Sequence, residues 1–517
     1  MNAHPKALVL DRQALSIEDV ALVARGERAV ALGDEARRAV REARAVVDSA
    51  TRDGLAHYGI NTGFGSLARE RIAPAELRQL QTNLIRSHAS GVGTPLPRDL
   101  VRATMLLLAA SLSRGLSGVR EAVIEGLAGM LSAGVTPVVP SIGSVGASGD
   151  LAPLAHIALV LLGEGQAEFG GRGMPGGDAL RAGGLSPLRL EAKEGLALIN
   201  GTHLMAAYGC LALTDAMRVF DAAVGAAAMS VDACRGTDAA FDDRIHVARN
   251  QPGQRMVGER LRSLLAGSRI LPSHREHDPR VQDPYSLRCT PQVLGAAWDA
   301  LGYVKCAVQR ELGAVTDNPL VFAGDPGGEA IVSGGNFHGM PLAIPLDVLS
   351  IAMSHVAGLS ERRTFWLLSG LDSESHLRPY LTPQPGLCSG LMIAQYTAAA
   401  CCNELVGLAN PASVANIPTS AGVEDYNSFG PRAGAKALRA VELARNVVAI
   451  ELLCAAEGIE YQRPLQSGGA VERLHALVRA RVARLVSDRP PAGDIAAIAG
   501  LIERGELGAA LPHSSNP

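Results

Sequence analysis

The chain has 517 residues, of which 47% are hydrophobic, and its formal net charge is −3 at pH 7. A chain of this length can bury large cores, whereas a near-neutral charge without a basic, aromatic-rich run argues against a nucleic-acid surface. Charges such as Asp215, Arg218 and Asp347 interrupt the apolar stretches, so we expect no membrane partner and a small-molecule substrate.

Two features bear on the compartment. The first residues, MNAHPKALVLDRQ, lack a basic region followed by an apolar core, which predicts a cytoplasmic protein. The eight cysteines form no CxxC pair and are dispersed through apolar segments. We therefore expect them to be reduced and mostly in the core, and we expect no metal site.

Helical periodicity dominates the predicted elements from about residue 100 onward. Before it, the apolar run 7–10 predicts a short strand. Apolar residues then recur at three- and four-residue intervals and predict one long helix that ends at Gly134: Leu112, Leu116, Val119, Val123 and Leu127. The glycine-rich stretch 163–184 suggests a hairpin. Long helices are predicted near 203–235, 292–313, 341–369, 389–409 and 437–457, and they favour a mostly α protein with a helical bundle.

The tripeptide Ala147-Ser148-Gly149 follows the helix predicted to end at Gly134 and precedes the predicted hairpin, in the run VPSIGSVGASGDLAPLAH. If the Gly149 nitrogen attacks the Ala147 carbonyl and two waters leave, the product is a 4-methylideneimidazole-5-one ring, an electron sink that no ordinary side chain offers. Gly149 suits the attacking position because it has no Cβ. The alternative interpretation is an ordinary loop whose Asp150 caps the helix that begins near Leu151.

Other segments combine glycine-rich backbone with polar or aromatic side chains, as functional loops do. The first, Tyr58-Gly59-Ile60-Asn61-Thr62-Gly63-Phe64-Gly65, predicts a mobile loop that carries a phenol suited to proton transfer. The others are Asn200-Gly201-Thr202, Gln282-Asp283-Pro284-Tyr285-Ser286-Leu287-Arg288 and Gly335-Asn336-Phe337-His338.

Together these motifs closely resemble the aromatic amino acid ammonia-lyases, in order and spacing, from about residue 7 to 490. The resemblance implies a homotetramer with a central core of long antiparallel helices, residues 111–517, and a smaller N-terminal globular part, residues 1–110, that carries the tyrosine loop. It also implies active sites shared between three subunits. The ring would form autocatalytically, with no external cofactor.

The resemblance implies a role for each motif residue. Tyr58 would remove the β-proton of the amino acid, and Arg288 would bind its carboxylate, for which a planar guanidinium is suited. Asn200, Gln282 and Tyr285 would surround the ring and the amino group. Phe337 would pack beside the ring, and Asp150 would assist cyclisation.

Substrate choice depends on a separate set of positions. Ser87-His88 and Glu424 are similar to the residues of family members that act on histidine, and a carboxylate can accept an imidazole N–H. Met392 matches a pocket-lining methionine of the same group. Val423, Tyr426 and Met340 depart from that group's usual pattern, which leaves a modified imidazole or another aromatic ring open.

Three hypotheses follow for the function. The first is elimination of ammonia from L-histidine to give urocanate. The second is a lyase or 2,3-aminomutase for tyrosine, phenylalanine or a related amino acid. The third is a helical scaffold that has kept the fold without catalysis, since fold alone does not fix function.

Overall fold

The computed structural model describes residues 7–276, 278–324 and 330–510, and most of these residues are α-helical. The mostly α prediction is therefore confirmed. The helices are α1 (Ile17–Ala24), α2 (Asp34–Ala50), α3 (Leu77–His88), α4 (Arg98–Leu112), α5 (Glu121–Ala133), α6 (Leu151–Leu161), α7 (Gly176–Ala182), α8 (Glu194–Ile199), α9 (His203–Ala233), α10 (Asp243–Arg249), α11 (Pro252–Leu265), α12 (Tyr285–Arg288), α13 (Thr290–Glu311), α14 (Met340–Ser369), α15 (Met392–Ala409), α16 (Gly430–Glu460), α17 (Gly469–Arg479) and α18 (Ala492–Glu503).

The strands are short and form small separate sheets. They are β1 (Leu8–Leu10), β2 (Val30–Leu32), β3 (Val92–Pro95), β4 (Thr136–Pro137), β5 (Pro140–Ile142), β6 (Gln166–Phe169), β7 (Arg172–Pro175), β8 (Leu320–Val321) and β9 (Ile331–Val332). β1 pairs with β2 in parallel, whereas β3–β5, β4–β6–β7 and β8–β9 are antiparallel. The strand predicted at 7–10 and the hairpin predicted within 163–184 are both confirmed.

The five long helices predicted after residue 200 are all present as α9, α13, α14, α15 and α16, and α16 extends beyond its predicted bounds at both ends. The single helix predicted up to Gly134 is wrong, because the chain breaks between α4 and α5. Gly115 and Gly118 in the break have φ values of 73° and 68°, and a Cβ on Gly115 would lie 2.6 Å from the Ala39 Cβ. Val119 is buried in the connecting loop, so the apolar spacing continues although the helix does not.

The chain divides into two compact units. The first comprises residues 1–211, 306–346 and 411–435, and the second comprises residues 212–305, 347–410 and 436–517. Neither unit begins or ends near residue 110, and the boundary expected there stays a prediction. In the first unit, a core cluster contains buried residues from α2, the Tyr58 loop, the start of α3, the segment before α8, and β8: Ala43, Val47, Ala50, Ile60, Leu77, Ala192 and Val321. In the second, Phe220 packs on Trp298 with ring centroids 5.0 Å apart.

Two composition-based expectations can be compared with the structure. α14 is long and apolar enough to cross a membrane, although 61% of its most apolar stretch is buried inside the protein, as in the core helix of a globular protein. The eight cysteines all lie in the described part of the chain and form no disulfide there, but only Cys210, Cys234 and Cys454 are buried and Cys306 is exposed. The expectation that most of them lie in the core is therefore wrong for this chain.

Candidate active site

The first unit contains a cavity of about 1010 Å³ that collects residues from distant parts of the sequence. Its walls come from the Tyr58 loop, α3, the segment before α6, the end of α8 and the loops 333–338 and 420–426. Seven residues predicted from the sequence line it: Tyr58, His88, Ala147, Ser148, Asn200, Phe337 and Glu424.

The tripeptide Ala147-Ser148-Gly149 lies immediately before α6, with Ala147 buried and Ser148 half-buried. Gly149 has a φ of 79°, and a Cβ there would lie 2.1 Å from the Gly201 carbonyl oxygen. Only glycine fits this left-handed position at such close approach. The backbone N–H of Asp150 donates to the same Gly201 oxygen at 2.8 Å, which fixes the tripeptide against the segment 200–202.

Asp150 is fully buried, and its side chain caps a helix other than its own. Its Oδ2 accepts hydrogen bonds from the backbone N–H groups of Leu204 and Met205 at 2.8 and 3.1 Å, in the first turn of α9. Asp150 occupies the N-cap position of α6, as the alternative interpretation expects, but its side chain makes no capping bond there. Burial raises the pKa of Asp150 to about 7, against the effect of the two N–H donors.

Ser148 and Glu424 are 276 residues apart in sequence but are hydrogen-bonded in the cavity. The Ser148 hydroxyl donates to Glu424 Oε1 at 3.1 Å, and the Thr419 hydroxyl donates to Glu424 Oε2 at 2.9 Å. The backbones of Thr419 and Glu424 also pair, through N–H···O distances of 2.9 and 3.3 Å across a tight turn. Glu424 is thus held at the hydroxyl that the predicted cyclisation would remove. Sequence reasoning missed Thr419.

His88 lies at the end of α3, and its hydrogen bonds fix which ring nitrogen carries the proton. Its Nδ1 is 2.9 Å from the Leu84 carbonyl oxygen, which can only accept, so Nδ1 donates and Nε2 remains an acceptor. Burial lowers the pKa of His88, with the Leu84 carbonyl and the Glu424 carboxylate acting in the opposite direction. The imidazole is therefore neutral at physiological pH.

Tyr58 is positioned by a loop that combines a buried anchor with close backbone contacts. Ile60 is fully buried in the core cluster, and a Cβ on Gly59, whose φ is 73°, would lie 2.3 Å from a Leu196 methyl carbon. The Tyr58 hydroxyl oxygen accepts a hydrogen bond from the Gly65 N–H at 3.3 Å, which directs the phenol. The mobility expected for this loop stays a prediction.

Asn200 is almost completely buried at the end of α8 and lines the cavity. Its side-chain Nδ2 donates to the Asn318 carbonyl at 3.0 Å, while its Oδ1 has no hydrogen-bond partner among the described residues. A buried amide oxygen without a donor is costly, so this atom is suited to receive an N–H from a ligand.

The loop that carries Phe337 is tied to the segment that carries Glu424. His338 Nε2 is 3.0 Å from the Tyr426 carbonyl oxygen, and its Nδ1 accepts from the Met340 N–H at 3.3 Å. Both ring nitrogens are therefore engaged, and the His338 and Tyr426 rings stack with centroids 6.3 Å apart. His338 was noted in the sequence only as a neighbour of Phe337, and its joining role was missed.

Six predicted site residues do not line this cavity. Gly149 and Asp150 belong to the first unit, and the other four belong to the second: Gln282, Tyr285, Arg288 and Met392. Gln282 and Tyr285 are exposed, and the Arg288 guanidinium stacks 4.5 Å above the Tyr285 ring. Their roles stay predictions. Among the described residues no cluster of histidine, cysteine, aspartate and glutamate could hold a metal ion.

Nearly the whole chain is similar to known aromatic amino acid lyases in both sequence and structure. The family model described as aromatic amino acid lyase matches residues 15–480. The chain is 50% identical over 510 residues to histidine ammonia-lyase of Anaeromyxobacter sp. (strain K), covering 97% of this chain and 99% of that protein. The histidine ammonia-lyase structure from Trypanosoma cruzi matches with a TM-score of 0.90 and 37% identity, over 98% of this chain and 96% of that one. Tyrosine aminomutase from Streptomyces globisporus matches with a TM-score of 0.90 and 33% identity, over 99% of both chains.

Proposed function

The chain belongs to the aromatic amino acid lyase family, and we propose that it is a carbon–nitrogen lyase that eliminates ammonia from L-histidine to give urocanate. The observation that carries this proposal is the cavity itself, in which Ser148, Tyr58, Asn200, His88 and Glu424 converge. The first three belong to the elimination chemistry, and the last two to recognition of an imidazole.

We propose that Ala147, Ser148 and Gly149 form the 4-methylideneimidazole-5-one ring. The local structure fits this group, because the attacking position is a left-handed glycine in a cradle that a Cβ would fill. The Ser148 hydroxyl donates a hydrogen bond to Glu424 and would leave as one water together with the Ser148 Cα hydrogen, while the other water would take the Ala147 carbonyl oxygen and the N–H hydrogens of Ser148 and Gly149. The ring supplies an electron-poor carbon for the amino group, which makes nitrogen a better leaving group.

His88 and Glu424 provide the recognition of the substrate side chain. Because His88 Nδ1 is committed to Leu84, its Nε2 can only accept, and Glu424 as a carboxylate also only accepts. An imidazole offers an N–H to such acceptors, whereas the phenyl ring of phenylalanine offers none. A substrate without a side-chain N–H would leave these two acceptors unpaired in the cavity. The site therefore discriminates against such a substrate in favour of histidine.

Asn200 and Tyr58 act at the reacting end of the substrate. The unpartnered Asn200 Oδ1 accepts an N–H of the substrate amino group and orients it. Tyr58 takes the β-proton, since a general base must lie within hydrogen-bond reach of the proton that it removes. Phe337 lines the same cavity and shields the tripeptide from water.

The substrate carboxylate needs a cation. Among the residues that the structure describes, those that line the cavity include Glu70, Glu424 and Asp425, and no arginine or lysine. Arg288 of another copy, with Tyr285 and Gln282 beside it and Met392, would complete the site in a homotetramer with shared active sites. We place this assembly in the cytoplasm.

Incubation of the purified protein with L-histidine, L-tyrosine and L-phenylalanine tests the proposal. Near-ultraviolet absorbance follows the unsaturated acid, and a separate assay measures ammonia. Urocanate from L-histidine alone supports the assignment. Cinnamate or coumarate, or a β-amino acid without free ammonia, would replace it with the second hypothesis, and no product from any of the three would refute it.

A further inference from the structure

A buried ion pair lies behind the cavity wall without touching the cavity. Lys193 Nζ is 2.6 Å from Asp317 Oδ2, and the side chains are 0% and 2% exposed. Burial lowers the pKa of Lys193, and Asp317 acts in the opposite direction. Neither residue lines the cavity.

The other carboxylate oxygen of Asp317 leads to the cavity. Asp317 Oδ1 accepts a hydrogen bond from the Asn318 N–H at 2.6 Å. The Asn318 carbonyl accepts from Asn200 Nδ2 at 3.0 Å, and Asn318 Oδ1 accepts from the Gly334 N–H at 2.8 Å. The peptide groups on both sides of Asn318 are therefore fixed, and Asn318 itself lines the cavity.

This network determines which way the Asn200 amide points. Because the Asn318 carbonyl can only accept, the NH₂ group of Asn200 must face it, and Oδ1 is left as the free acceptor. If the Asn318 peptide rotated, the side-chain amide of Asn200 would lose this hydrogen bond and its orientation. Small misplacements of a positioning group lower turnover steeply.

Stability alone does not account for two buried charges at this place. Replacing a buried ion pair by apolar groups of similar volume is often neutral or stabilising, because the desolvation penalty offsets the attraction. A feature that gives little stability is more readily explained by the geometry that it imposes on its neighbours.

We propose that Asp317, with its charge neutralised by Lys193, is a positioning residue that holds the Asn318 peptide and, through it, the Asn200 amide in the orientation needed at the substrate amino group. The inference rests on the proposed function. The part of Asp317 that matters for turnover is its acceptor toward Asn318, whereas Lys193 neutralises the carboxylate.

Two double variants separate these contributions. K193M/D317N removes both charges and keeps a side-chain oxygen for the Asn318 N–H, whereas K193M/D317L removes both charges and the oxygen. K193M/D317N leaves the introduced side-chain NH₂ group without a partner, and K193M/D317L leaves the Asn318 N–H without one. The unfolding temperatures of the two double variants should therefore be similar. Turnover should differ, with kcat near wild type in K193M/D317N and about tenfold lower in K193M/D317L, and with little change in KM.

Three readouts are taken together on the wild type and both doubles: kcat and KM, ring content by mass of the peptide that contains Ser148, and deuterium uptake of the peptide that contains Asn318. Lower kcat with unchanged ring content and faster exchange, in K193M/D317L only, supports the inference. Equal kcat in the two doubles, or equal exchange, overturns it. If the wild-type protein is inactive on all three amino acids, the proposed function is refuted and the inference loses its basis. This result is distinguishable from the two outcomes described for the double variants.

Discussion

Glu424→Gln tests the link between the tripeptide and substrate recognition. Glu424 uses one carboxylate oxygen for Ser148 and the other for Thr419. Glutamine offers a single acceptor oxygen, so one of these two hydrogen bonds is lost and the negative charge is lost as well.

The size of the effect follows from the change of acceptor. A hydrogen bond to a charged group contributes about 1–2 kcal/mol more than a neutral one, which corresponds to about 5- to 30-fold in kcat/KM for L-histidine. The loss should depend on the imidazole N–H. Inhibition by urocanate should weaken by the same factor, while inhibition by cinnamate, which lacks that N–H, should stay unchanged.

The assay compares kcat/KM and the two inhibition constants in wild type, Glu424→Gln and a control, Glu125→Gln. Glu125 lies in the same unit and pairs with Arg37, but its side chain is 48% exposed and outside the cavity. Ring content is measured in parallel, so that slower cyclisation is not read as weaker binding. Equal weakening of urocanate and cinnamate, at full ring content, would refute the role given to Glu424.

Three further changes have defined outcomes. Ser148→Ala should give a folded protein with almost no ammonia release, and substantial activity would contradict the proposed electrophile. Tyr58→Phe should keep the ring but lose most of kcat, because the phenol oxygen that takes the β-proton is gone, and near wild-type kcat would exclude Tyr58 as the base. Asp150→Asn should change the pH dependence of stability. Burial raises the pKa of Asp150 from 3.8 to about 7, so between about pH 4 and pH 7 this carboxyl binds a proton in the folded state but not in the unfolded state. The free energy of unfolding of the wild type therefore falls as pH rises through this range. Urea unfolding at several pH values should show a smaller fall in the variant, which keeps an oxygen for the α9 cap, and an identical slope would refute the titration of Asp150 in this range.

The elements that depend on local pattern were predictable from the sequence. α9, α13, α14 and α15 follow continuous apolar patterns, and Gly134 ends α5 with a φ of 79° as expected. The break between α4 and α5 was not predictable, because Gly115 is required by its contact with Ala39 on a distant helix rather than by its neighbours. Local periodicity carries no information on such contacts.

The candidate site shows the same limit. The motifs gave the residue types, and the family resemblance gave their roles, but the partners are far apart in sequence. Asp150 caps α9 instead of α6, and Lys193 meets Asp317 across 124 residues. Such pairings are tertiary contacts that a single sequence does not specify. Arg288 and Tyr285 lie in a different compact unit from the cavity, so the roles predicted for them rest on the proposed assembly of several copies.

The most direct test of the account is the mass of the peptide that contains Ala147, Ser148 and Gly149, taken from native protein and from Ser148→Ala. Cyclisation with loss of two waters predicts a native peptide about 36 Da lighter than its sequence mass, and a Ser148→Ala peptide without that full loss. A native peptide at its full sequence mass, from protein that nevertheless releases ammonia from L-histidine, would contradict the proposal that this tripeptide is the electrophile.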